Sequence, residues 1–367
     1  MREKLLAFVA VGLMATATMT ACDDSGGSGD GGDGAAGGGE AKVGVILPDT
    51  KSSQRWVADD PKYLKAAFDA AGIRADIQNA QGNRDNFVRI AESMISDGAK
   101  ILVIANLDAG SGKAVVDKAH AKDVKVIDYD RFTVNGGADY YVSFDNERVG
   151  ELMGRGLVDC LEAKGAVNPV VAELNGSPTD NKAAQFKAGY DFVLQSYYDD
   201  ATYTKGPDQW VPDWDNDEAG KIFAQMFSQQ KMIRGVLAAD DGIAAAVIAV
   251  LKEHGLNRKV PVTGQDATIQ GLQNLLTGDQ CLTVYKMIEP EAQAAANLAA
   301  KLFRGEEPII PGEIKDPESG AFVPFVALLP QAITVKDINT VVADGFVTKE
   351  QLCTGDYAQL CKAHGVK

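Results

Sequence analysis

Residues 125–132 read KVIDYDRF, a stretch that begins as a buried strand and ends in charge. Val126 and Ile127 suit an apolar core, yet Asp128, Asp130 and Arg131 follow at once. Charged groups are rarely buried unless they are paired. The same change of character recurs along the chain. VGVIL (43–47) runs into Pro48 and Asp49, ILVI (101–104) into Ala105 and Asn106, and VVAEL (170–174) into Asn175 and Gly176. GVLAA (235–239) meets Asp240 and Asp241, VPVTG (260–264) meets Gln265 and Asp266, and LTVY (282–285) meets Lys286. Amphipathic stretches such as 85–96, with Phe87, Ile90, Ala91, Met94 and Ile95 at helical spacing, separate these runs. Gly72, Gly98 and Gly255 punctuate their ends as C-terminal caps. Alternating strands and helices predict an α/β protein with parallel sheets. In such sheets ligands bind beyond the carboxyl ends of the strands, so the polar exits mark a site. Asp49, Asp241 and the acidic run 215–218 read more simply as helix caps or solvated faces.

The polar exits fall into two groups, before and after residues 143–146. The body, residues 42–367, is long enough to favour two domains over one. Two α/β lobes facing each other would bring both groups into one cleft, where ligand pockets concentrate.

The N-terminus is of another kind. Arg2 and Lys4 precede an uncharged apolar run, and MTAC (19–22) closes it with small residues before a cysteine. This predicts a secretory signal over residues 1–21, too short for a transmembrane helix. The ending resembles a bacterial lipoprotein box, which implies that Cys22 carries lipid. Residues 23–41 hold nine glycines and five acidic residues. Residues 22–41 are therefore expected to be a flexible, lipid-anchored tether that holds the body outside the cell membrane without inserting it.

Formal charge is −15 without a basic stripe, which argues against nucleic acid. Excluding Cys22, the cysteines are Cys160, Cys281, Cys353 and Cys361, and an even number in an exported chain reads as two disulfides. Of the three possible pairings, Cys353 with Cys361 and Cys160 with Cys281 is preferred. No CxxC pair supports a metal site. His120, His254 and His364 are scattered and read as structural. AGSGKAV (109–115) lacks the first glycine of a phosphate loop and has Ala114 in place of its hydroxyl residue. Asp130 and Asp266 could pair as glycosidase carboxylates. Arg131 beside Asp130 would hold that carboxylate ionised, which is unsuited to a general acid. The remaining inventory of Arg, Lys, carboxylates and an amide, with Trp56 and Trp210 beside polar residues, suits an uncharged polyol: charged groups bond hydroxyls, and indoles cover the ring. Trp214 reads as core. Asp130 and Arg131 read as partners of each other, and Asp128 has no assigned place.

YDR (129–131), SFDNERVGEL (143–152), GSPTDN (176–181), DQW (208–210), GQDA (264–267) and TVYK (283–286) occur in this order. On these stretches the body resembles the sugar-binding type I periplasmic binding proteins, solute receptors of ABC transporters, and within them the D-xylose-binding branch. The resemblance implies two Rossmann-like lobes joined by a three-segment hinge. The lobes would be residues 42–145 with 287–329, and residues 146–286 with 330–367. Crossovers would lie near 143–146, near 264–267 or 285–288, and close to the C-terminus. The ligand contacts it implies are Arg55, Trp56, Asp130, Arg131, Asn181, Trp210, Asp240, Asp266 and Lys286. Many relatives carry Asn-Asp where this chain has Asp240-Asp241, so a carboxyl replaces an amide. The resemblance further implies a monomer without enzymatic activity or cofactor, which passes D-xylose or a related aldose to a permease served by a separate ATPase. The alternative is presentation of the sugar to a membrane sensor kinase.

Overall fold

The computed structural model describes residues 43–367. The signal segment 1–21, the lipidation position Cys22 and the 22–41 tether lie outside the described residues. The first lobe begins with β1 (Val43–Leu47), α1 (Asp59–Ala70), β2 (Ala75–Asn79), α2 (Arg84–Ser96) and β3 (Ile101–Ile104). It continues with α3 (Ala109–His120), β4 (Lys125–Tyr129) and β5 (Tyr140–Phe144). The second lobe follows as α4 (Asn146–Ala163), β6 (Val170–Asn175), α5 (Asn181–Asp199), β7 (Thr204–Trp210), α6 (Asn216–Gln229) and β8 (Ile233–Ala238). Then come α7 (Asp241–Glu253), α8 (Ile269–Thr277) and β9 (Thr283–Tyr285). The chain returns to the first lobe through α9 (Ile288–Phe303), β10 (Gly312–Lys315) and β11 (Phe322–Leu328). It ends in the second as β12 (Gln331–Ile333), α10 (Ile338–Ala343), α11 (Lys349–Leu352) and α12 (Tyr357–Ala363).

The first sheet has the order β10-β11-β5-β4-β3-β1-β2, parallel except for the β10–β11 pair. β1 and β3 are apolar along their whole length because helices cover both faces. Apolar residues from α1 and α9 fill one face of the sheet, and those from α2 and α3 the other. At Gly44 a side chain would come within 2.6 Å of Met94 Sδ and 2.8 Å of Leu102 Cδ2, so any larger residue would have to push these two side chains aside where α2 packs on β1. The second lobe is built on a parallel sheet of order β7-β6-β8, extended by bridges from Val262 and Gln265. Many strand exits become helix starts. Asp108, Asp145, Asp180, Asp215, Asp240 and Thr268 each accept a backbone N–H at the first turn of the helix that follows.

The chain passes between the lobes at 144–146, 285–288 and 328–331. Residues 264–267 remain inside the second lobe, with Gln265 bridged to Val284. Cys160 is bonded to Cys281, and Cys353 to Cys361. The C-terminal helices pack Val341, Leu352 and Cys361 against Leu272, Leu275 and Leu276 of α8. No helix among the described residues is long and apolar enough to cross a membrane.

Candidate ligand-binding cleft

The carboxyl ends of the strands in both sheets meet between the lobes. From the first lobe come Ser52, Ser53, Arg55 and Trp56 after β1, and Asp130 and Arg131 after β4. From the second come Asp180 and Lys182 after β6, Trp214 after β7, Asp240 after β8, and Gln265 and Asp266 after the segment 260–263. Lys286 stands on the second crossover, directly after β9.

A buried charge network ties these residues together. Asp130 accepts from Arg55 Nη1 at 2.6 Å and from the Lys182 ammonium, and Lys286 Nζ lies 3.5 Å away. Burial raises the Asp130 pKa, but the charges of Arg55, Lys182 and Lys286 outweigh it and hold the group well below the usual carboxylate range. Arg55 also forks onto Asp60 through Nε and Nη2, both at 2.8 Å, and reaches Glu291 at 2.7 Å. Its nitrogens are committed to protein carboxylates, so Arg55 braces Asp130. Lys286 bridges on to Asp266 at 3.2 Å. Asp130 and Arg131, read from sequence as partners, do not pair. Asp130 has a left-handed backbone (φ 60°) that turns the two side chains apart, and Arg131 faces Asp180 at 3.4 Å and Asp49 at 3.6 Å. Asp128 takes the amide of Thr133 at 2.6 Å and its hydroxyl at 2.7 Å, which pins the turn carrying Asp130 and Arg131. Asp49 caps its own loop through the amides of Lys51 and Ser52.

The aromatic pair differs from the sequence expectation. Trp56 is buried against the cleft, with the Arg55 guanidinium 4.4 Å and the Arg131 guanidinium 5.5 Å from its ring centroid. Trp210 does not line the cleft centre: it ends β7 and packs half-buried against the core of the second lobe. Trp214 takes that place. Asp213 (φ 52°) and Trp214 (φ 56°) form a left-handed turn that swings the indole inward, where Nε1 donates to Asp180 at 3.2 Å. The indole lies so close to Gly176 that an added Cβ would fall 2.0 Å from it. Asn181 also differs. It is the first residue of α5, half-exposed and without a side-chain hydrogen bond, whereas Lys182 turns inward. The Lys182 ammonium lies 6.0 Å from the Trp56 ring and 5.9 Å from the Trp214 ring. Lys182 and Gln265 are thus cleft residues that sequence reasoning missed, while Trp214, read as core, does belong to the buried core of the second lobe and lines the cavity as well. Gln265 lay within the GQDA stretch, while no local signal separates Lys182 from Asn181.

Between these groups is a cavity of about 20 Å³, lined by Trp56, Arg131, Lys182, Trp214, Gln265 and Asp266 among others. Its size suits one water, which needs roughly 10–15 Å³. Two larger spaces flank it between the lobes, of about 590 Å³ and 430 Å³, within the size range of ligand pockets. Opposite lobes touch through Asp130–Lys182, Arg131–Asp180 and a Ser53–Asp266 hydrogen bond of 3.2 Å. At the cavity wall, Arg131 Nε, Gln265 Oε1 and Asp266 Oδ1 are buried without a hydrogen-bond partner. Arg131 Nε keeps the long 3.4 Å contact with Asp180 and Asp266 Oδ1 the 3.2 Å contact with Lys286, while an unsatisfied group such as Gln265 Oε1 costs about 1–3 kcal/mol. Their convergence is the mark of a surface shaped for a partner with both donors and acceptors.

The same burial raises the pKa of several carboxyls. Asp128 and Asp241 are pushed up to about 7, and Asp240 and Glu291 up to about 8. A carboxyl whose folded pKa exceeds its unfolded value contributes stability below the unfolded pKa and loses it as pH rises through the folded one. Thermal stability is therefore expected to fall steadily from pH 5 to pH 8.5. A melting temperature that rises across this window in a pH series of unfolding scans would contradict it.

Comparison with known proteins places this geometry. A sequence profile described as a periplasmic binding protein domain matches residues 43–307. The D-xylose-binding periplasmic protein of Escherichia coli (strain K12) is 34% identical over 319 residues, covering 85% of this chain and 93% of the relative. The multiple sugar-binding periplasmic receptor ChvE of Rhizobium radiobacter is 32% identical over 83% of this chain and 89% of its own length. Among solved structures, an ABC transporter solute binding protein from Clostridium phytofermentans with bound β-D-glucose superimposes with a TM-score of 0.77 at 26% identity. That match covers 84% of this chain and 99% of the other.

Proposed function

This chain belongs to the sugar-binding periplasmic binding proteins of ABC transport, and we propose that it captures D-xylose between its lobes and hands it to a membrane permease driven by a separate ATPase. Its relatives are substrate-binding proteins of transport and not enzymes. The observation that carries the proposal is the set of buried polar groups of Arg131, Gln265 and Asp266 with atoms left without a hydrogen bond, on residues lining one cavity together with Trp56 and Trp214. A pyranose offers hydroxyls that donate and accept at once, and C–H faces for Trp56 and Trp214 to cover. D-xylose is favoured because two relatives at 34% and 32% identity bear that name. Opening about the three crossovers would join the flanking spaces, admit the sugar and draw Lys182 away from the indoles. Cys22, lipidated, and the 22–41 tether would keep the monomeric receptor beside its permease on the outer face of the membrane, at raised effective concentration.

Titration calorimetry of the purified protein with D-xylose, D-glucose, D-ribose and L-arabinose tests this. D-xylose is expected to bind most tightly. Tighter D-glucose binding would overturn the choice of sugar, and no heat from any of them would overturn sugar binding itself.

A further inference from the structure

Asp240 and Asp266 both line the central cavity, but their surroundings differ. Asp266 lies 3.2 Å from Lys286 and accepts from Ser53. Asp240 is buried, only 4% exposed, and no Lys, Arg or His nitrogen among the described residues comes within ion-pair distance of it. One of its oxygens caps α7, accepting from the Ile243 amide at 2.7 Å, and the other has no protein partner. The charged groups around it are Asp241 on its own helix, Asp266 and Lys182 from the same lobe, Arg55 and Arg131 on the first-lobe side of the cavity, and Lys51 and Asp217 at the rim of the adjoining space. The cations near this small cavity are engaged elsewhere, Arg55 and Lys182 with Asp130, Arg131 with Asp180 and Lys286 with Asp266, so ionising the buried Asp240 as well is costly.

We propose that Asp240 works as a neutral carboxylic acid that donates its proton in a hydrogen bond to a sugar oxygen, which makes ligand capture sensitive to alkaline pH. This rests on the reading of the cleft as a monosaccharide site. The proton sits on the oxygen that does not cap α7, because the capping oxygen must remain an acceptor. The acid thereby supplies a donor among the acceptors Gln265 and Asp266. When it ionises, the donor is lost and a second negative charge enters beside Asp266. Burial, with Asp266 next, pushes Asp240 up to about 8, which places the loss just above neutrality.

Two measurements separate this from the reading beneath it. Carboxyl carbon NMR of the ligand-free protein, with the Asp240 resonance identified by its disappearance in Asp240→Asn, is expected to show a group still protonated at pH 7. An Asp240 ionised at pH 6 overturns the inference whatever binds. Calorimetry with D-xylose from pH 6 to 9.5 is expected to show the dissociation constant rising about tenfold per pH unit above the titration midpoint. Asp240→Asn, which keeps both a capping oxygen and a donor, loses that slope. Parallel slopes in the two proteins, or tighter binding by wild type at alkaline pH, overturn it. Absence of binding by any tested sugar with Asp240 still protonated removes the monosaccharide reading, and the inference with it.

Discussion

Trp214→Ala weakens monosaccharide binding by about 2–4 kcal/mol, roughly 30- to 700-fold, the cost of removing a central buried aromatic anchor. Trp210→Ala, at the other candidate indole, leaves affinity within a few-fold of wild type. The contrast comes from the left-handed turn at Asp213 and Trp214, which carries the second indole into the cleft while Trp210 stays on the wall of β7. Truncating Trp214 removes a ring wall and also frees Asp180 Oδ2, which would then face Arg131 alone while Oδ1 keeps its cap on the Lys182 amide. Phe186 packs edge-on against Trp214 at 6.5 Å, so some stability is lost too. Trp214→Phe keeps a flat face and is expected to recover most of the affinity. Calorimetry on the three variants, with thermal melts alongside, checks this. Equal losses at Trp210 and Trp214 would mean that the ring wall lies elsewhere.

Arg55→Met destabilises the folded chain by about 3–5 kcal/mol, the range found when one partner of a buried ion pair is removed. The guanidinium joins three segments: Asp60 at the start of α1, Asp130 after β4, and Glu291 in α9. All four side chains are almost fully buried. Without Arg55, Asp60 keeps only the Tyr129 hydroxyl at 2.7 Å, and Asp130 depends on Lys182 and Lys286. Those two lysines would then be held more tightly at Asp130 and be less available to a ligand. Arg55→Lys keeps the charge but not the fork and recovers only part of the loss. Urea unfolding of both variants measures it, and a change below about 1 kcal/mol in Arg55→Met would contradict the bracing role.

Much of the fold could be read from where apolar runs stop. A strand covered by helices on both faces has to be apolar throughout, so the first polar residue after it marks the sheet edge where the cleft lies. KVIDYDRF showed that edge at β4. What it could not show was direction. Asp130 and Arg131 are adjacent, yet a left-handed backbone sends one to Arg55 and Lys182 and the other to Asp180. The same limit explains Asn181 and Lys182, where the start of α5 decides which side chain turns inward. Arg55 could be placed after β1, but its partner Glu291 is 236 residues away, and no local pattern announces such a pairing. Asp128 shows the reverse case: a charge out of place in its strand becomes intelligible once Thr133 is seen folded back onto it.

The most direct test of the account is a crystal structure of the protein with D-xylose. The pyranose ring is expected between Trp56 and Trp214, with its hydroxyls within hydrogen-bond distance of Arg131 Nε, Gln265 Oε1 and Asp266 Oδ1, and Lys182 drawn off the indoles. A sugar seated away from these atoms, or a cleft that stays at about 20 Å³ with the sugar on the outer surface, would contradict it.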